Sequence, residues 1–345
     1  MGDAACDLLE AELALDRLEA TLAAELPAHL RAFAEAHARG APDPIAPPIA
    51  RHARSLGTAR GAFIHPLLEA RAIALLRVLA PLAIDDDPRV HAARQQPRSW
   101  SAWQALAAAR DAAARDRFGL GWLELVHRLH GSTTVAAAPF AWPAPLPAWT
   151  APERTFDAAA IEAMWTTLAA RHRVGGACRI VASDARARTF VVEPGAEVIV
   201  VVPRAVDSPA QRFAVLHELG HAIAALAVPT TLPRAVDEAV AAYVARALEQ
   251  PAHGWHSPIA RAARTRRLAL ARALDAIERG DPARPTAQPP WALWHDAGAQ
   301  AAYVAAEAIA DRWSHELGDA PSPGALAAAI ARTHAEVDRA LPVRF

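Results

Sequence analysis

One short island of β-branched sequence, from Arg179 to Val202, lies in a chain that otherwise repeats its leucines and alanines at helical spacing. Arg179 to Ser183 and Thr189 to Val202 are rich in valine and isoleucine, with Glu193-Pro194-Gly195-Ala196 between two apolar runs, which reads as strand, turn, strand. An island of this length builds only a small sheet. The fold class that follows is α+β, mostly helical, with the sheet placed just before a long helical second half.

Helical periodicity predicts a helix, or a helical pair broken near Pro27, over Asp3 to Arg39, and further helices at about 49–83, 99–130, 157–172, 208–227, 233–249, 257–279, 291–318 and 323–340. Trp100, Trp103, Trp122 and Leu125 fall on one apolar face and are expected to pack a core. The proline- and tryptophan-rich stretch at 133–152 marks a linker between a helical N-terminal region, 1–132, of no assigned role, and a second unit, 153–345.

The second unit carries the chemistry. Phe213 to Ala222 contains H-E-x-x-H inside an apolar helical pattern. Residues four apart lie one turn above each other on a helix, so His217 and His221 can address one metal ion. Glu218 is rotated off that line by about 100° and addresses a metal-bound water, as a base that later returns the proton. A catalytic zinc site needs three protein ligands and one open position. Glu238, seventeen residues beyond His221 and past the turn from Pro229 to Pro233, is the expected third ligand, with Asp237 as the competitor. Gly220 on one helix, and Ala241 and Ala242 on the other, would let the two approach. Only Cys6 and Cys178 are present, too few for a thiolate cluster or a disulfide framework, so the expected cofactor is one Zn2+ per chain held by imidazole and carboxylate.

Gln211 to His221, preceded by the Ile/Val strand pair, resembles the motif helix of ImmA/IrrE-type metallopeptidases, which read R-F-[ST]-[LI]-A-H-E-L-G-H. Glu238-Ala239 with Tyr243 and Ala245 is similar to the E-A-x-x-F-A pattern that supplies that family's third ligand, with the aromatic residue one position later. The resemblance covers residues 155–250, and at the broader level it is to the gluzincin clan of zinc metallopeptidases. It implies a zincin-like metallopeptidase domain over 153–345, a peptide or protein as substrate, and hydrolysis through the zinc-bound water activated by Glu218. The alternative it leaves is a metal-binding regulatory or sensor protein on the same fold, acting on a transcriptional repressor partner. The segment from Trp294 to Tyr303 resembles C-terminal helices that place His or Tyr over the zinc, which makes His295 and Tyr303 candidate catalytic residues. Tyr243 shares the Glu238 helix but points about 140° away, into packing.

The strand Glu197 to Val202 is the expected edge to which an extended peptide adds by main-chain hydrogen bonds. A net charge of −1, with basic residues that are all arginine, gives no footprint for nucleic acid or an anionic membrane. The most apolar run, Ile73 to Ile84, is interrupted by Arg77 and Pro81 and is too short to span a bilayer. Acidic residues stand near the N-terminus where a signal peptide has basic ones, so the expected compartment is the cytoplasm.

Overall fold

The computed structural model describes residues 2–41, 68–132, 155–248, 260–278, 299–319, 321–322 and 324–340, and among these the chain is mostly helical with a small sheet, an α+β arrangement. Helix α1 (Gly2–Ala38) runs unbroken through Pro27. Leu15 and Leu22 before the proline and Ala34 after it are all buried, so the helix is held on both sides of the lost hydrogen bond. Helix α2 (Glu69–Asp85) covers the part of the expected 49–83 helix that lies among the described residues.

Helix α3 (Pro88–Arg94) is capped by Asp87, and α4 (Trp100–Phe118) by Ser99. The single helix expected over 99–130 is instead two. Gly119, at φ 72°, ends α4 in the left-handed conformation, and α5 (Trp122–His130) starts three residues later. Trp103, Trp122 and Leu125 are buried in one apolar cluster with Trp100 packed against it, as their spacing implied. That cluster also takes in Leu274 and Ile277 from the second half of the chain.

The sheet holds β2 (Ala177–Ser183), β3 (Arg188–Glu193) and β4 (Glu197–Pro203) in the order β2-β4-β3, β2 parallel and β3 antiparallel to β4. A separate short pair joins β1 (Phe156–Asp157) to β5 (Ala205–Val206). The expectation that Glu197 to Val202 forms a free edge is therefore wrong. This strand is central, and the edge nearest the motif helix is β3. The physical reason was present in the run Val198-Ile199-Val200-Val201-Val202, which has no polar alternation and so belongs to a strand covered on both faces. Val198, Val200 and Val202 face the main core, while Ile199 and Val201 pack with Phe190, Val192 and Ala34 of α1.

Helix α6 (Ala158–His172) precedes the sheet, and α7 (Pro209–Ala227) follows it. Ser208 and Gln211 form a reciprocal capping box at the start of α7, with Pro209 in its first turn, which fixes where the motif helix begins. The chain then turns into α8 (Arg234–Leu248). Gly220 lies against the backbone of Ala241, so close that a Cβ at Gly220 would stand 2.5 Å from the Ala241 Cα. Helices α9 (Ala260–Glu278), α10 (Gln300–Leu317) and α11 (Ala325–Ala340) complete the described fold. Tyr243 is buried edge-on to Trp313 and donates to the Gly318 carbonyl at 2.7 Å, so packing is its role. None of the described helices is long and apolar enough to cross a membrane.

Candidate metal centre

Helical spacing stacks His217 and His221 one turn apart on α7, their rings 4.7 Å apart and nearly perpendicular. The two Nε2 atoms lie 3.2 Å from each other. The close crossing at Gly220 and Ala241 brings α8 near enough for Glu238 to complete the group. Its Oε2 is 3.0 Å from His217 Nε2 and 3.7 Å from His221 Nε2. His217 and Glu238 are buried, at 7% and 5% exposure, so these atoms face each other away from solvent. The three residues form the group among the described residues able to hold a metal ion.

The donor set fits such an ion. Ligands at about 2.0–2.1 Å from a tetrahedral zinc stand roughly 3.3 Å from one another, and the three separations bracket that value. Glu238 Oε2 and His217 Nδ1 have no well-oriented hydrogen-bond partner, although both are buried. A buried carboxylate oxygen without a hydrogen bond, set against two imidazole Nε2 atoms, is costly unless a cation occupies the space between them. Asp237, the competing ligand, takes another position: its Oδ2 is 2.9 Å from His221 Nδ1, on the far side of the ring. A carboxylate there would hold the ring by its Nδ1 side and leave Nε2 to a metal ion.

The electrostatics express the same demand for positive charge. Burial works against a charged imidazole at His221, yet Asp237, Glu238 and Glu218 outweigh it and raise its pKa to about 10. Burial likewise opposes the Glu238 carboxylate, but His221, His217 and Arg234 hold it well below the usual range. His217 goes the other way, pushed down by burial and by the charge of Arg267. The surrounding carboxylates thus favour positive charge at the centre, which a dication in place of a proton would supply.

Glu218 sits beside the group, half-buried. The Thr189 N–H donates to Glu218 Oε2 at 2.7 Å, and the Thr189 hydroxyl donates to the Glu218 carbonyl at 2.8 Å. The first of these bonds shows that the Thr189 amide of β3 points away from β4, toward the motif helix. Both residues line a cleft of about 500 Å³ whose wall also includes His217, His221 and Glu238.

Tyr303, on α10, lines the same cleft. Arg234 donates to its hydroxyl at 2.9 Å, and Arg267 lies over its ring at 4.6 Å. Arg234 Nε is 3.5 Å and Arg267 Nη2 3.9 Å from the Glu238 carboxylate. His295, the other expected residue from this segment, lies outside the described residues. Sequence reasoning missed Arg234, Arg267 and Thr189. Arg234 had a signal, since it stands four residues before Glu238 on one helix face. Thr189 and Arg267 come from distant elements and had none.

Comparison of the chain with family models, with curated proteins and with solved structures finds no match. The functional reading therefore rests on the geometry of the centre and on its motif.

Proposed function

We propose that this chain is a zinc metallopeptidase of the gluzincin type, with an ImmA/IrrE-like motif region, in which His217, His221 and Glu238 hold one Zn2+ and Glu218 is the catalytic base. The observation that carries the reading is the convergence of His217, His221 and Glu238 in one buried group, with Glu218 in the cleft beside it. When bound, zinc polarises a carbonyl and lowers the pKa of a water to about 7. Glu218 would act as the base that takes a proton from the attacking water and passes it to the leaving amine. The Thr189 amide orients the carboxylate for both steps. The Tyr303 hydroxyl, placed by Arg234, donates to the oxyanion that forms from the attacked carbonyl.

The sheet supports the reading of a peptide as substrate. The β3 strand has one side paired to β4 and the other turned toward the motif helix, which suits an extended main chain added antiparallel along that side. The test uses zinc-loaded full-length protein and a pool of peptides, with new termini read by mass spectrometry. The wild type is expected to generate new termini, and Glu218→Gln to keep its zinc while losing about 10²-fold or more in rate. Equal cleavage by Glu218→Gln would refute the mechanism. Retained zinc without cleavage of any peptide by the wild type would leave the metal-binding regulatory reading in its place.

A further inference from the structure

The N-terminal helices wall a pocket that adjoins the cleft. A second pocket, of about 370 Å³, lies between α1, α2, β3 and the turn that joins α7 to α8. Leu26, Leu30 and Phe33 of α1 line it on one side, Val78 and Leu82 of α2 on another. These side chains are only half-buried in a protein whose other large apolar groups are mostly closed over. A pocket of this size that is open to solvent and lined mostly by apolar carbon gains from an apolar group that displaces its water. Its volume is within the roughly 300–1,000 Å³ of ligand-binding pockets.

Three residues, Val191, Leu232 and Asp237, wall both this pocket and the metal cleft. Asp237 is the residue beside His221, and Val191 lies on β3 two positions beyond Thr189. Two residues along a strand span about 7 Å. A peptide paired with β3, its scissile carbonyl at the metal, therefore has a side chain at the mouth of the pocket within one or two residues of the bond that breaks.

We infer that this pocket is the specificity site, and that it accepts a large apolar side chain of the substrate polypeptide. The inference rests on the peptidase reading and gives the N-terminal helices a function in it. They build two walls of the site that selects what is cut.

The test reads binding and needs no turnover. Zinc-loaded, full-length Glu218→Gln protein is immobilised and exposed to a random octapeptide pool, and bound peptides are sequenced by mass spectrometry. Phe, Leu, Met or Trp should be enriched over Ala by about tenfold or more at one position, the ratio that burial of one large apolar side chain supports. Filling the pocket from either helix, with Leu30→Trp or Val78→Trp, should reduce that enrichment to about twofold or less while zinc content is unchanged; the two variants guard against one failing to fold. Absence of positional apolar enrichment, or enrichment unchanged in a folded filling variant, overturns the inference. Pocket-dependent enrichment of peptides that the wild type then fails to cut supports the pocket and refutes the peptidase reading, so the two failures are distinguishable.

Discussion

Gly220→Ala is the substitution that most sharply separates the packing of the two ligand helices from the chemistry of the ligands. Alanine is the better helix former by about 1 kcal/mol, so in an open helix the change would stabilise. Here the new methyl would stand 2.5 Å from Ala241 Cα and 3.0 Å from its carbonyl oxygen, both backbone atoms of α8. Carbon atoms pack best at about 3.5–4.0 Å, so α8 must withdraw by about 1 Å. Overpacking of this kind costs about 1–3 kcal/mol, and contact with backbone atoms, which cannot swing aside, puts Gly220→Ala toward the upper end; set against the propensity gain, the net loss is up to about 2 kcal/mol. Glu238 withdraws with α8, whereas metal–ligand distances tolerate only about 0.2 Å. Urea unfolding of the metal-free protein should show the net loss, and chelator competition should show zinc bound about 10- to 100-fold more weakly. Gly175→Ala is the control, since no atom lies within 4 Å of its Cβ position, and should fall within about 0.5 kcal/mol of wild type. A Gly220→Ala protein at least as stable as wild type, with unchanged zinc affinity, would refute the close-crossing argument.

Tyr303→Phe removes one donor aimed at the cleft, and kcat is expected to fall about 10²-fold with KM nearly constant; an unchanged kcat removes Tyr303 from the mechanism. Burial, with a smaller contribution from Arg171, lowers the pKa of His172 to about 4 from an ordinary 6.5. The unfolded chain therefore binds an extra proton below pH 6.5, and stability falls with pH until the folded group titrates near 4. Between pH 7 and 5 this amounts to a loss on the order of 2 kcal/mol, which His172→Gln should remove. Urea unfolding at the two pH values checks it, and an equal pH slope in wild type and variant rejects the assignment.

The part of the centre written within one helical turn was readable from the chain. His217, Glu218 and His221 need only the 3.6-residue repeat, and Glu238 needed one further step, a turn that reverses the chain. Gly220 and Ala241 were legible as small residues at a crossing, though not how closely the two backbones approach. Asp237 and Glu238 are adjacent carboxylates, and only the orientation of α8 decides which one faces the two Nε2 atoms. The edge assignment failed because pairing partners are a property of the sheet. The apolar run in β4 is equally hydrophobic on both faces, and it was α1, from more than 150 residues away, that covered one of them. Arg267 reaches the centre from a helix with four other arginines, none marked out by its sequence position. Such a residue becomes visible when the fold brings it to Tyr303 and Glu238.

Zinc stoichiometry of the full-length protein after exhaustive dialysis, measured by elemental mass spectrometry, tests the central claim most directly. The wild type and Glu218→Gln should each retain about one zinc per chain, whereas His217→Ala, His221→Ala and Glu238→Ala should each retain almost none. A wild type without zinc, or zinc kept at full stoichiometry when any one of those three ligands is removed, would contradict it.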